Sequence, residues 1–399
     1  MRVLVVSQWF PPEPREFLLE LAQAYQKAGH EVQVVTGFPN WPGGQVYPGY
    51  KVKLIQREVI GGVDTVRLPL YANHSKSGLK RVLNLTSLAI SLFFLGPFTL
   101  KRAQHIHVIQ LPFLVLAAKW LAFWWRATVS MEVQDLWPDT LEASGVSSRK
   151  VLGLMGKLCD ASYRGSRDIR VISPGFARAL EARGVPADKL HLIPNWIDDE
   201  TNKPLPADTP WDGPTLPQGF RILYAGAIGI PQALSVVLDA AALLKDRPDI
   251  VFLIAGDGVE REPLQQRANE EGLDRVVFLG NFPQSEMGKL YAQVDVLLVH
   301  LSPDPLFEIT IPSKILTYLA YSRPILAGLK GDPAGVIEDT GSGVIFPPGN
   351  AQALAAAART LVDMPEHERV EMGARGRAAA ESTYSFRAAI PKLAALAEK

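Results

Sequence analysis

Cysteine is nearly missing. Cys159 is the single one in 399 residues, which excludes an intrachain disulfide framework and argues against a cysteine-ligated metal site. Excess charge is missing too. Lys+Arg and Asp+Glu each total 41, for a formal net charge of +0, so composition gives no sign of a nucleic-acid partner. The opening MRVLVVSQWF lacks the long apolar core and small-residue cleavage site of a secretory signal. It reads as a buried first strand, and the protein is expected to be cytoplasmic. No Gly-x-x-x-x-Gly-Lys-Ser/Thr loop, His-Glu-x-x-His or Gly-x-Ser-x-Gly is present. Neither half carries the full Gly-x-Gly-x-x-Gly fingerprint, which argues against a nicotinamide dehydrogenase.

What is present is a large apolar fraction, 47%, against 21% charged residues. That suits a well-buried core, and the length suits two domains. Strand and helix signals alternate. RVLVV (2–6) is a β-branched run; 14–29 is helical, with Phe17, Leu18, Leu21, Ala22 and Tyr25 on one face and Gly29 as a stop. HEVQVVT (30–36), HIHVIQ (105–110), ATVSMEV (127–133), DIRVIS (168–173) and KLHLIP (189–194) are further strands. The pattern lapses over 196–219, which is rich in Pro, Asp and Gly and reads as a linker. It resumes with FRILYAG (220–226), IVFLIAGDG (250–258), RVVFLG (275–280), VDVLLVHL (294–301), RPILAGL (323–329) and GVIFPPG (343–349). The expected architecture is α/β: two tandem Rossmann-like, doubly wound parallel-sheet domains, 1–195 and 220–383, facing an interdomain cleft.

Several stretches are candidates for chemistry. TIPSKI puts Ser313 near an N-cap and Lys314 in the first turn of a helix. Free amides plus a cation there make an anion site, although an ordinary capped helix would look similar. GDGVER, with Gly256 and Gly258, turns from strand to helix and could meet a ligand or serve only as a tight turn. In SQWFPPEPREF, Glu13 and Glu16 suit the helix dipole and would repel phosphate, so this turn lines an acceptor pocket or simply caps a helix. MEVQDLWPDTLEASG crowds Glu132, Asp135, Asp139 and Glu142 after a strand, around a buried-looking Leu136-Trp137-Pro138. These acids are placed for sugar hydroxyls or base catalysis, or form a solvated loop. VLNLTSLAISLFFLGPFTL (82–100) has no charge over 19 residues and lies between Lys80-Arg81 and Lys101-Arg102. Asn84, Thr86, Ser87, Ser91, Gly96 and Pro97 interrupt it. With KWLAFWWR and its Lys119 and Arg126, it reads as buried helices or as an interfacial membrane patch rather than a spanning segment.

Taken together, QWFPPEP, AGHEVQVVTGFPNWPGGQVYPGY, VQDLWPDT, VISPGF, IPNWID, YAGAIGIPQAL, GDGVER, VDVLLVHL and IPSKILTYLAYSRPIL resemble the GT-B glycosyltransferases of family 4, in the retaining branch that builds bacterial surface polysaccharides. The resemblance covers almost the whole chain. It implies a C-terminal domain for the nucleotide sugar, an N-terminal domain for the acceptor, and a final helix, 384–399, returning to the first domain. Two departures stand out. Thr317 occupies the position of the family's ribose-holding glutamate, and Ile309 that of the glutamate eight residues earlier, with Glu308 one residue early. Ile230 and Pro231 replace a lysine that often grips the diphosphate.

The resemblance therefore implies transfer from a nucleotide sugar, a UDP-sugar favoured, to a lipid-linked saccharide with retention, of hexosyl or N-acetylhexosaminyl type. It implies same-face attack, with the leaving diphosphate helping to take the acceptor proton. Glu308 and Asp135 are the expected catalytic carboxylates. Gly226, Gly229, Gly256, Gly258, Ser313, Lys314 and Thr317 are the expected donor-binding residues, and Glu13, Glu132 and Trp137 the acceptor-binding ones. No metal or cofactor is expected, and the location implied is the inner face of the cytoplasmic membrane, in peripheral contact. A nucleotide-sugar epimerase of the same fold, or a non-catalytic scaffold of a polysaccharide assembly complex, remain the alternatives.

Overall fold

The computed structural model describes all residues except Arg15, 74–77, Gln110, 138–148 and Lys399. The chain divides into two compact units: Met1–Ile193 with Ile390–Lys399, and Pro194–Ala389.

The first unit is built on β1 (Arg2–Val6), β2 (Glu31–Thr36), β3 (Gln56–Ile60), β4 (Val63–Arg67), β5 (His105–Ile109), β6 (Thr128–Val133), β7 (Asp168–Val171) and β8 (Leu190–Leu192). They form one sheet in the order β3-β4-β2-β1-β5-β6-β7-β8. Its described helices are α1 (Glu16–Lys27), α2 (Gly78–Thr99), α3 (Pro112–Trp125), α4 (Arg149–Gly165) and α5 (Pro174–Ala182). The central strands are apolar runs because helices cover both faces of a parallel sheet; every residue of β5 is buried. Local signals set the ends. Ser173 caps α5 by accepting from the Phe176 amide, and Pro174 follows at the first helical position. Sequence reading passed over β3 and β4, which pair antiparallel with Ile60 opposite Val63. Their two-residue turn is Gly61-Gly62, at φ 53 and 81, and left-handed backbone at both positions is what a tight hairpin requires.

The second unit carries β9 (Phe220–Ala225), β10 (Ile250–Ala255), β11 (Val276–Gly280), β12 (Val296–His300), β13 (Ile325–Gly328) and β14 (Gly343–Phe346). All pair in parallel, in the order β11-β10-β9-β12-β13-β14. Its helices are α6 (Ser235–Leu243), α7 (Arg261–Glu270), α8 (Gln284–Ala292), α9 (Ser313–Ala320), α10 (Asp332–Thr340), α11 (Ala351–Asp363) and α12 (Glu366–Ser382). Alternation along β9 feeds two cores. Ile222 and Tyr224 join the α6 and α11 side chains, while Leu223 and Ala225 join those of α8 and α9. The winding reverses between β9 and β12, and the crevice outside the carboxyl ends of such strands is where ligands bind. A last helix, α13 (Phe386–Glu398), follows.

The segment 196–219 differs from its expected role. It is folded into the second unit. Arg377 donates to the carbonyls of Asn202 and Asp199, Trp211 packs on Phe282 at 5.3 Å, and Leu216 is buried in the core.

Candidate functional site

At the switch point of the second unit, a cavity of about 400 Å³ opens at the ends of β9, β10 and β11 and at the start of α9. Gly226 and Ala227 border it from β9, Gly256 from β10, Asn281 and Phe282 from β11, and Ser313, Lys314 and Thr317 from α9. Tyr318 fixes α9 in place: its hydroxyl donates to the Ala225 carbonyl at 3.2 Å and accepts from the Ala225 amide at 3.1 Å. Lys314 lies four residues earlier, on the same helix face.

Pro312 is the N-cap of α9 and gives no side-chain capping bond. Ser313 is therefore the first helical residue, one position past its expected place. The first amides of a helix have no intrahelical acceptor and present partial positive charge. Beside them the Lys314 ammonium Nζ is buried with no hydrogen-bond partner among the described residues. It sits 3.8 Å from the centre of the Tyr224 ring, a cation–π contact. Burial pushes its pKa down to about 7. The Tyr224 hydroxyl donates to the Ala227 carbonyl, so the ring under Lys314 also pins the loop that follows β9.

The glycines behave differently from expectation. Gly229 and Gly258 do not border the cavity. The Gly226 amide donates to Ala255, Ile228 to Asp257 and Gly256 to Gly280, while Gly229 donates to the Gln232 side chain. These amides already donate within the protein and are not open to a donor phosphate. The glycines serve close backbone approach instead. A Cβ at Gly256 would lie 1.8 Å from the Gly226 carbonyl oxygen, and one at Gly258 2.2 Å from that of Ile228.

Glu308 does not share this cavity. It borders a second one of about 270 Å³ with Ser302, Asp304 and Lys330, and its carboxylate accepts from the Lys330 ammonium at 2.9 Å. In the first unit, Asp135 stands two residues past β6, half-buried. Asp139 and Glu142 lie outside the described residues.

The three expected acceptor residues are structural. Glu13 is fully buried and lies ahead of α1 rather than in its first turn. Its carboxylate accepts from the amides of Phe10, Asn40 and Trp41, stapling two loops together. Burial raises its pKa in spite of these bonds. Glu132 is 0% exposed and pairs with Arg170 at 2.7 Å and His107 at 3.7 Å. Burial acts to raise its pKa, but the Arg170 charge and the His107 contact outweigh that and hold it at about 2. Trp137 is buried and packs edge-on to Phe113 at 6.2 Å. All three are buried among the described residues.

Two family models match the halves separately: the glycosyl transferase 4-like domain over residues 14–196, and glycosyl transferases group 1 over 219–364. The chain belongs to the family 4 glycosyltransferases of GT-B fold. This glycosyltransferase is 28% identical over 389 residues to the putative colanic acid biosynthesis glycosyl transferase WcaI of Escherichia coli K12, covering 93% of this chain and 94% of that one. It is 27% identical over 232 residues to the amylovoran biosynthesis glycosyltransferase AmsK of Erwinia amylovora, covering 57% and 55%. Among solved structures, sucrose-phosphate synthase from Thermosynechococcus elongatus superposes with a TM-score of 0.71 at 18% identity, over 100% of this chain and 98% of that one. Anabaena HepE in complex with UDP-glucose gives 0.67 at 15%, over 100% and 99%.

Sequence reasoning missed part of the cavity wall of the glycosyltransferase. Asn281 and Phe282 follow β11, and Gln284, Met287 and Tyr291 come from α8. Their only sequence signal was position, just past a strand end next to the switch point.

Proposed function

We propose that the glycosyltransferase takes a sugar from a nucleotide diphosphate donor, a UDP-sugar, and adds it with retention to a lipid-linked saccharide during surface-polysaccharide assembly. The observation that carries this reading is the unpartnered Lys314 ammonium beside the open amides of α9, inside a cavity at the switch point. A diphosphate would answer both, and the aromatic side chains Phe282 and Tyr291 in the lining suit a nucleobase. The HepE complex with UDP-glucose and the polysaccharide roles in the names of WcaI and AmsK support the donor class and the process.

In this reading the protein works by positioning and by stabilising charge on the departing diphosphate. Lys314 and the Ser313 and Lys314 amides meet that charge. The diphosphate takes the acceptor proton as the new bond forms on the face it leaves. Glu308 meets hydroxyls of the donor sugar, and Asp135 orients the acceptor. No metal or cofactor enters the proposal, and the site of action is the inner face of the cytoplasmic membrane.

A thermal-shift screen of UDP-, GDP- and TDP-sugars tests the donor. A bound donor at about 100 times its dissociation constant should add about 2.7 kcal/mol. No shift with any of them would remove the reading. Turnover with the donor so found then separates transfer from epimerisation. In that assay Glu308→Gln should lower turnover by about tenfold or more. Wild-type turnover there, with a collapse in Asp304→Asn, would move the sugar contact four residues upstream.

A further inference from the structure

Helix α2 is apolar on every side, yet its own unit covers only one of them. Asn84, Leu88, Leu92, Gly96 and Thr99 face inward. Ile90, Phe94 and Phe98 recur on the opposite face, and Phe98 is 87% exposed. The neighbouring α3 continues this surface with Phe123, 74% exposed, and Trp124. The rings join into one band. Phe94 meets Phe93 at 5.1 Å, Phe93 stacks on Trp120 at 4.9 Å, Trp120 meets Trp124 at 5.4 Å, and Trp124 meets Phe123 at 5.5 Å. Scattered exposed apolar residues are ordinary; a connected band of them marks an interaction site.

The charge around the band says what it meets. From Thr65 to Met131 there is no Asp or Glu, and there are eight Lys or Arg residues. The chain is neutral as a whole, so the remainder carries a net −8. Lys119 and Arg126 are exposed along α3 and at its end, and Arg102 reaches the Trp125 carbonyl at 3.0 Å. An apolar aromatic face on two helices that carry cations and no acidic residue is complementary to a bilayer with anionic headgroups.

We propose that the α2–α3 face is a docking surface for an anionic lipid bilayer. The Phe94, Phe98, Phe123 and Trp124 side chains enter the acyl boundary, and Lys119 and Arg126 sit at headgroup level. α2 lies in the interface and does not cross it. Its apolar stretch Val82–Thr99 has the length to span, but crossing would draw Asn84 away from Gln8 and the Tyr71 carbonyl, its partners at 3.0 and 2.8 Å, and leave its amide unsatisfied in hydrocarbon. The proposal does not depend on the donor reading, because the band belongs to the first unit and the cavity to the second.

The test is flotation of the purified full-length chain with phosphatidylcholine vesicles, with and without phosphatidylglycerol. The protein should float with the anionic vesicles and much less with the neutral ones. Phe94→Ser with Phe98→Ser should lower partitioning on the order of a hundredfold, with the melting temperature and UDP-sugar binding unchanged. Lys119→Glu and Arg126→Glu should each lower it roughly fivefold or more, on anionic vesicles only. Wild-type protein that stays at the bottom with both vesicles, or a double phenylalanine variant that floats like wild type, overturns the proposal. So does a wild-type dimer that Phe98→Ser dissociates without any vesicle binding, since the occupant would then be a second copy.

Discussion

Each unit of the molecule buries a basic side chain, and the two are treated oppositely. In the first, Arg170 on β7 is 0% exposed, faces Glu132 at 2.7 Å and donates to the Ile193 carbonyl at 2.9 Å. In the second, the Lys314 ammonium is buried with no hydrogen-bond partner among the described residues. Desolvating a charge is costly unless it is paired. A buried cation that is paired with a buried carboxylate therefore belongs to the fold. An unsaturated one, at a helix start and a sheet switch point, keeps its bonding capacity for something that arrives.

The comparison breaks most visibly if the paired cation is removed. Arg170→Met leaves the Glu132 carboxylate buried with the Gln134 amide and His107 but without its cation, and should destabilise the protein by about 3–5 kcal/mol in denaturant unfolding. Any protein that still folds should bind UDP-sugar as wild type does. A loss of binding larger than the loss of stability would make the Arg170 pair part of the site.

Lys314→Ala should reverse that pattern. Losing one charge-assisted hydrogen bond lowers affinity for the nucleotide sugar by about 1.5–3 kcal/mol, read by calorimetry. Its stability should not fall, because an unsatisfied buried group is removed. Lys314→Met, which fills the same space, should raise stability. Unchanged affinity in both variants would end the diphosphate assignment.

Protonation sharpens the same contrast. With the free-site pKa of Lys314 lowered to about 7 by burial, the amine is a cation below that pH and neutral above it. A diphosphate selects the cation. Affinity for a UDP-sugar should hold steady below pH 7 and fall by up to about tenfold per unit above it. Calorimetry in buffers of different ionisation enthalpy should show proton uptake on binding. The ligand-free stability runs the other way. Between about pH 7 and the usual lysine range the native state holds fewer protons than the unfolded one, so Lys314 makes stability rise with pH there. An affinity that does not change from pH 6 to 9 would remove the amine from the binding step.

The smallest effect is expected at the exposed pair in the second cavity. Glu308 and Lys330 form their 2.9 Å contact with both side chains well exposed to solvent, and such pairs add little. Glu308→Gln should shift stability by less than about 0.5 kcal/mol in thermal unfolding. A larger drop would give Glu308 a structural role like that of Glu132.

Much of the fold was legible because strand and helix periods alternate plainly, as in RVLVV, FRILYAG and IVFLIAG. The β3–β4 hairpin was missed, although Gly61-Gly62 marks its turn, because a charged strand such as QREVI carries no apolar period. At the site, Lys314 could be read because a lysine in the first turn opposes the helix dipole and invites an anion. The burial of Glu13 and Glu132 was not legible for one physical reason. A carboxylate near a strand end has the same sequence whether it faces solvent or a buried partner. A sign was present at Glu132, where His107 and Arg170 also interrupt neighbouring apolar strands. Three polar residues in adjacent buried strands are best explained by one another. Glu308 and Lys330 are 22 positions apart, and nothing local links them.

The loops after β9 and β10 pass each other with the Gly256 α-carbon set against the Gly226 carbonyl. That contact bears on how the gene can change. From any glycine codon, every single-base substitution that alters the residue yields a side chain with a Cβ or a stop. Position 256 therefore has no one-step neighbour that the backbone can accept. In a saturation library selected for nucleotide binding it should stay empty of alternatives, while Gly43, where a Cβ meets nothing within 4 Å, should fill freely.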